Sequence, residues 1–171
     1  MDDGDIRFYF PRAKIMQYSD LNKFNSIEKL LPKQPDFVFV LYEDSPKNGH
    51  WTCLTRDTVN NINYFDSYGG MPDKPLSWTA LQERQRLGQG TPMLSALLDK
   101  TPLSVFYNNV DYQSNQAGVN TCGRHCCFYV KNMLKYGMSL AQYYTYMNAM
   151  RKQYKTGYDE VVSRFISHFN K

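Results

Sequence analysis

The chain has 171 residues, 42% of them hydrophobic and 21% charged, which predicts one globular domain with a real core and excludes a disordered chain. Twenty basic against sixteen acidic side chains leave a net charge of +4. With no compact Lys/Arg block, that permits weak DNA contact but argues against nucleic acid as the main ligand.

The acidic start, MDDGDIRFYF, lacks the basic region and apolar run of a signal peptide. The longest apolar stretch, residues 37–42, is strand-sized and too short to span a bilayer. A soluble protein with no membrane partner, made where cysteines stay thiols, is expected. A helix is predicted over 19–32, capped by Ser19 or Asp20, with Leu21, Phe24, Ile27, Leu30 and Leu31 as its apolar stripe. Residues 36–43 read as a strand covered on both faces, followed by a turn in SPKNG. Residues 50–56 and 62–68 read as a hairpin joined by the polar 57–61. Helical segments follow near 76–87 and 92–99, then a strand over 103–112 and a polar loop. Apolar residues at helical spacing predict a helix from Cys122 to about Tyr136, stopped by Gly137. Residues 139–154 and 158–169 read as two more helices. One helix, a block of strands and then helices make an α+β fold in a single domain, 1–171.

The chemistry-bearing residues are few. His50 opens a strand, and a hairpin turning near 58–59 sets it across from Asp66 or on the diagonal, on one sheet face. A carboxylate there would hold the imidazole tautomer and favour the imidazolium. The plainer alternatives are a solvated His50 and an Asp66 that merely starts a turn. Cys122 follows a polar loop at a helix start, where unpaired N–H groups favour a thiolate, and Gly123 would let a substrate backbone come close. Cys53, Cys126 and Cys127 read instead as small buried hydrophobes. His125, one turn past Cys122, is an alternative base, but no carboxylate lies near it in sequence, and a partly exposed helix-surface His is the better account. Zinc held by Cys122, His125, Cys126 and Cys53 is a rival, weakened by the lack of a second spaced pair. Gln113 and Gln116, in the loop entering Cys122, are candidate oxyanion donors.

Taken together, GHW at 49–51, YFDSYG at 64–69 and NTCGRHCC at 120–127, in that order, resemble the adenovirus-protease and SUMO-protease clan of cysteine peptidases. The run from YSDLNKFNSIEKLLP to TCGRH is most similar to the cysteine proteases of virophages, Polinton-like elements and large DNA viruses, over roughly residues 15–135. The resemblance implies a small α+β peptidase with the Cys on a central helix and the His and Asp on the sheet. It implies His50 as base, Asp66 orienting it, Cys122 as nucleophile, a Gln joining the Cys122 backbone N–H in the oxyanion hole, and Trp51 packed beside the site. Gln116 has the SUMO-protease spacing, and Gln113 the position directly after the preceding strand, which holds a side chain better. It further implies cleavage after small residues, often Gly, in virion and capsid precursors during particle maturation, in the virion or the host-cell cytoplasm at the virus factory. No cofactor or metal is expected, and a monomer is. An isopeptidase acting on ubiquitin or SUMO conjugates shares the same motifs, and a zinc or nucleic-acid binding module is the rival outside this chemistry. The helices from 138 to 171 lie beyond the resemblance.

Overall fold

The structure, a computed structural model, describes residues 1–167. Helix α1 (Asp3–Tyr9) was not predicted; it starts in a capping box between Asp2 and Asp5. Strand β1 (Lys14–Gln17), also unpredicted, is half-buried throughout and shows no alternation. The helix expected over 19–32 is two short pieces, a 3-10 turn (Tyr18–Lys23) and α2 (Ile27–Leu30). Local side chains break it: the Asp20 carboxylate accepts the Gln17 N–H (3.2 Å), and Ser26 Oγ accepts the Lys29 N–H (3.2 Å), so Ser26 caps α2.

Strands β2 (Asp36–Ser45) and β3 (Asn48–Arg56) pair antiparallel across the predicted SPKNG turn, and β3 with β4 (Ile62–Phe65) forms the predicted hairpin. β4 follows a turn built on Asp57, whose Oδ1 accepts the Val59 and Asn61 N–H groups at 3.0 and 2.9 Å. A 3-10 turn (Lys74–Trp78), α3 (Leu81–Arg86) and α4 (Leu94–Lys100) occupy the next stretch. The strand predicted over 103–112 shrinks to β5 (Val105–Tyr107). Asn108 ends it, because its side chain accepts the Val110 N–H (3.0 Å) and turns the chain. Helix α5 (Cys122–Tyr136) has the predicted bounds and stops at Gly137 with φ +63°. α6 (Leu140–Tyr154) begins in a Ser139–Gln142 capping box, and α7 (Tyr158–Phe165) follows. Residues 168–169 of the last predicted helix lie outside the described residues.

The five strands lie in chain order β1 to β5, with β1 parallel to β2, β4 parallel to β5, and the middle pairs antiparallel. Both faces are covered, as the unbroken apolar run of β2 requires. Phe39, Leu41, Cys53 and Phe65 meet α1, α5, α6 and α7 on one face. Val38, Val40, Leu54, Ile62 and Tyr64 meet α2 and α4 on the other. The mixed sheet packed against helices is the predicted α+β class. Among the described residues no helix is long and apolar enough to cross a membrane.

Candidate active site

The site forms where β3 begins, β4 ends and α5 starts. Gly49 lets β3 enter here: at φ +152° a Cβ would lie 1.9 Å from the Tyr42 carbonyl oxygen, so no other residue fits. The β3–β4 register pairs Cys53 with Phe65 and Leu54 with Tyr64. Continued one step, it sets Asp66 across from Thr52 and leaves His50 on the diagonal of the same face. The two side chains meet there, His50 Nε2 donating to Asp66 Oδ1 at 2.8 Å. The same Oδ1 accepts the Tyr68 N–H (2.9 Å), and Asn108 Nδ2 donates to the Asp66 carbonyl, so the carboxylate is aimed from both ends. Asp66 is fully buried, and its Oδ2 has no hydrogen-bond partner among the described residues.

With Nε2 committed to Asp66, the imidazole nitrogen left for Cys122 is Nδ1, and the ring and the sulfur do interact. The Trp51 N–H donates to Cys122 Sγ at 3.5 Å, and the Gly123 N–H also favours the ionised sulfur. Burial alone would keep His50 neutral, but the Asp66 carboxylate and Cys122 outweigh it and push its pKa up to about 9. Burial likewise opposes ionisation of Cys122, yet His50 and the two N–H groups hold the thiol below its ordinary value. The pair therefore favours a thiolate beside an imidazolium. The other thiols behave differently. Burial and the neighbouring Cys53 drive Cys126 well above the usual thiol range, and burial raises Cys127.

Aromatic rings wall the base. Tyr68 stacks on His50 with centroids 5.2 Å apart, and Trp78 meets it edge-on at 5.1 Å. Neither ring was singled out from sequence, although Tyr68 stands in the YFDSYG motif; Trp78 ends the Lys74–Trp78 turn and is half exposed. These groups line a cleft of about 310 Å³ that also contains Gln113, Asn120 and Cys122. Asn120 Oδ1 lies 3.6 Å from Cys122 Sγ.

The two glutamines separate sharply. Gln113 is buried in the cleft wall; its Oε1 accepts the Ser67 hydroxyl (2.7 Å) and its Nε2 donates to the Val119 carbonyl (3.3 Å). Gln116 is exposed and its side chain does not line the cleft. Trp51 packs under the site with Nε1 donating to the Met1 carbonyl at 3.0 Å. Gly123 does not open onto the cleft as expected. A Cβ on it would meet the Met1 side chain at 3.0 Å and Trp51 at 3.2 Å, so its bareness admits those two residues rather than a substrate chain.

His125 also departs from the sequence expectation. It is fully buried, not partly exposed, and its Nε2 lies 3.0 Å from Asp159 Oδ1, a carboxylate brought back by α7 from 34 residues away. The proposed zinc ligands do not converge as a set, although Cys53 and Cys126 are neighbours. Cys122 faces the cleft, His125 faces Asp159, and Cys126 donates to the Trp51 carbonyl at 3.4 Å. Among the described residues no three His, Cys, Asp or Glu side chains converge as metal ligands, and all four cysteines are free thiols.

No family model matches the chain, and no solved structure matches it. A curated relative does: "Uncharacterized protein V9" of Sputnik virophage is 34% identical over 152 residues, spanning 89% of this chain and 85% of the relative. The aligned span is long enough to take in most of the sheet and the helices around it. The chain thus belongs to the family of this virophage protein.

Proposed function

We propose that the protein is a cysteine peptidase that cleaves virion precursor proteins on the C-terminal side of small residues. The observation that carries this is the His50–Asp66 pair at 2.8 Å, with Cys122 against the remaining ring nitrogen at the head of a helix. Three groups in that relation are what acyl transfer to sulfur requires.

The chemistry follows from the charge states. The Cys122 thiolate attacks the scissile carbonyl carbon; a C–S bond forms and the carbonyl π electrons move to oxygen. The Cys122 backbone N–H and Gln113 Nε2 donate to that oxygen. As the oxyanion collapses, the C–N bond breaks, and the leaving nitrogen takes the proton from His50 Nδ1. Neutral His50 then accepts a proton from the water that attacks the thioester, and cleavage of the C–S bond restores thiolate and imidazolium. Asp66 holds the ring through Nε2 in every step. Substrate choice rests on the walls. Cys122 is 3% and His50 8% exposed, with Tyr68 and Trp78 flanking the ring, so side chains beside the scissile bond must be small.

The test is incubation of the purified protein with the capsid and other virion precursors of its virus. Wild type is expected to release products with new N-termini after small residues, and Cys122→Ala to release none. Equal cleavage by Cys122→Ala would refute the assignment. Cleavage of ubiquitin-like conjugates alone would move the same chemistry to another substrate.

A further inference from the structure

The helices after residue 138 fall outside the motifs that carry the peptidase reading, yet one of them reaches the site. Asp159, in the first turn of α7, makes three hydrogen bonds. Its Oδ2 accepts the Ser114 N–H at 2.8 Å. Its Oδ1 accepts the Thr121 hydroxyl and lies 3.0 Å from His125 Nε2. Ser114 directly follows Gln113, and Thr121 directly precedes Cys122. One carboxylate thus joins the two ends of the loop that separates the oxyanion donor from the nucleophile.

We propose that Asp159 is a positioning residue for the reaction, setting the distance between the Gln113 amide and the start of α5; this rests on the peptidase reading above. The loop has one other cross-tie, the neutral bond from Gln113 Nε2 to the Val119 carbonyl at 3.3 Å, and its middle is otherwise weakly anchored. Residues 115–118 are exposed, nothing lies within 4 Å of the space a Cβ on Gly118 would fill, and the Gln116 N–H bonds only back to Ser114 Oγ. Gln113 is tied from the sheet side, where its N–H donates to the Ser67 carbonyl (3.0 Å). That contact fixes Gln113 to the turn after β4 but not to α5. Asp159 adds the charged tie, joining the residue after Gln113 to the residue before Cys122.

His125 completes the arrangement. Burial holds it below its ordinary pKa, so at neutral pH the ring is uncharged and donates through Nε2–H to Asp159. Tyr112 lies over the ring with centroids 6.1 Å apart. The carboxylate is drawn down by these three donors although burial pushes the other way. A neutral donor on α5, a hydroxyl at its head and a loop N–H therefore all converge on a single anion.

The sulfur is held independently of this brace, by His50 and the Trp51 N–H. The proposal thus predicts a split that a general loss of structure would not give. Alkylation of Cys122 by iodoacetamide needs the thiolate but no oxyanion hole, whereas peptide cleavage needs both. In Asp159→Asn an amide N–H replaces the acceptor facing the Ser114 N–H. With an internally quenched peptide carrying Gly before the scissile bond, kcat is expected to fall about 10- to 100-fold, a fraction of what loss of a whole oxyanion donor costs. KM and the alkylation rate should stay within about twofold. Unchanged kcat would overturn the proposal. A parallel fall in kcat, alkylation and thermal stability would reduce Asp159 to a structural residue and overturn it as well. Thr121→Val, which removes one of the three bonds in nearly the same volume, decides the matter if Asp159→Asn does not fold: kcat falls several-fold with alkylation held, or the proposal fails. A wild type whose Cys122 is not rapidly alkylated, and which cleaves nothing, would instead sink the peptidase reading itself.

Discussion

Asp66→Asn separates charge from geometry at the site. Asp66 Oδ1 already accepts both bonds that aim it, from His50 Nε2 and from the Tyr68 N–H. An asparagine Oδ1 can accept the same two, leaving the ring in place and removing only the negative charge. The structure gives the size of the loss. Asp66 and Cys122 together raise His50 from 6.5 to about 9 against the opposing effect of burial. At about 1.4 kcal/mol for each tenfold step, that is a preference for the charged ring of about 3 kcal/mol. Without the carboxylate only Cys122 opposes burial, the His50 pKa falls, and the ion pair loses ground to the neutral pair. kcat/KM at pH 7 should fall about 10- to 100-fold, less than in His50→Ala, which loses the base altogether. The basic limb of the pH profile should move from near 9 toward neutrality. The new amide N–H₂ would also sit where Oδ2 has no partner among the described residues, at a stability cost of about 1–3 kcal/mol. The assay is kcat/KM against pH with a quenched peptide, with thermal unfolding alongside. A profile that superimposes on wild type would refute the electrostatic role of Asp66.

The wild-type profile should be bell-shaped, rising as Cys122 ionises below the ordinary thiol range and falling as His50 loses its proton near about 9. A plateau that persists well above pH 9 would show that the protonated ring is not needed. Ser67→Ala removes the hydroxyl that donates to Gln113 Oε1 at 2.7 Å and frees the amide to turn. Steady-state kinetics should show kcat down several-fold, about 1 kcal/mol, with KM held; an unchanged kcat would remove Gln113 from the oxyanion hole. Phe65→Ala empties a fully buried site whose ring stacks on Tyr129 at 4.7 Å and meets Tyr143 edge-on at 5.7 Å. Denaturant unfolding should show a loss of about 3–5 kcal/mol, and a loss under about 1 kcal/mol would mean that this face of the sheet is loosely packed.

What could be read from the sequence followed the strength of the local signal. The β2–β3–β4 block and α5 were legible because apolar runs, turn residues and a terminal Gly all agreed at those positions. The diagonal meeting of His50 and Asp66 was legible because a short polar turn leaves few registers. Helix 19–32 was misread because Asp20 and Ser26 make local hydrogen bonds that compete with a continuous helix. β1 and α1 escaped because neither carries a periodic apolar pattern; their docking against β2 and α5 is decided by tertiary packing. His125 was misjudged for a related reason. Its partner Asp159 lies 34 residues away, and only the packing of α7 on α5 brings them together. Trp78 and Tyr68 likewise became part of the site only once the chain after β4 had folded back over His50.

The central claim, that Cys122 is the activated nucleophile of a peptidase, is tested most directly by limited alkylation with iodoacetamide near pH 6, followed by peptide mapping. The account predicts label on Cys122 alone at early times, because His50 draws that thiol below its ordinary pKa while Cys126 and Cys127 are pushed above theirs. Equal labelling of all four cysteines, or earlier labelling of Cys53, Cys126 or Cys127, would contradict it.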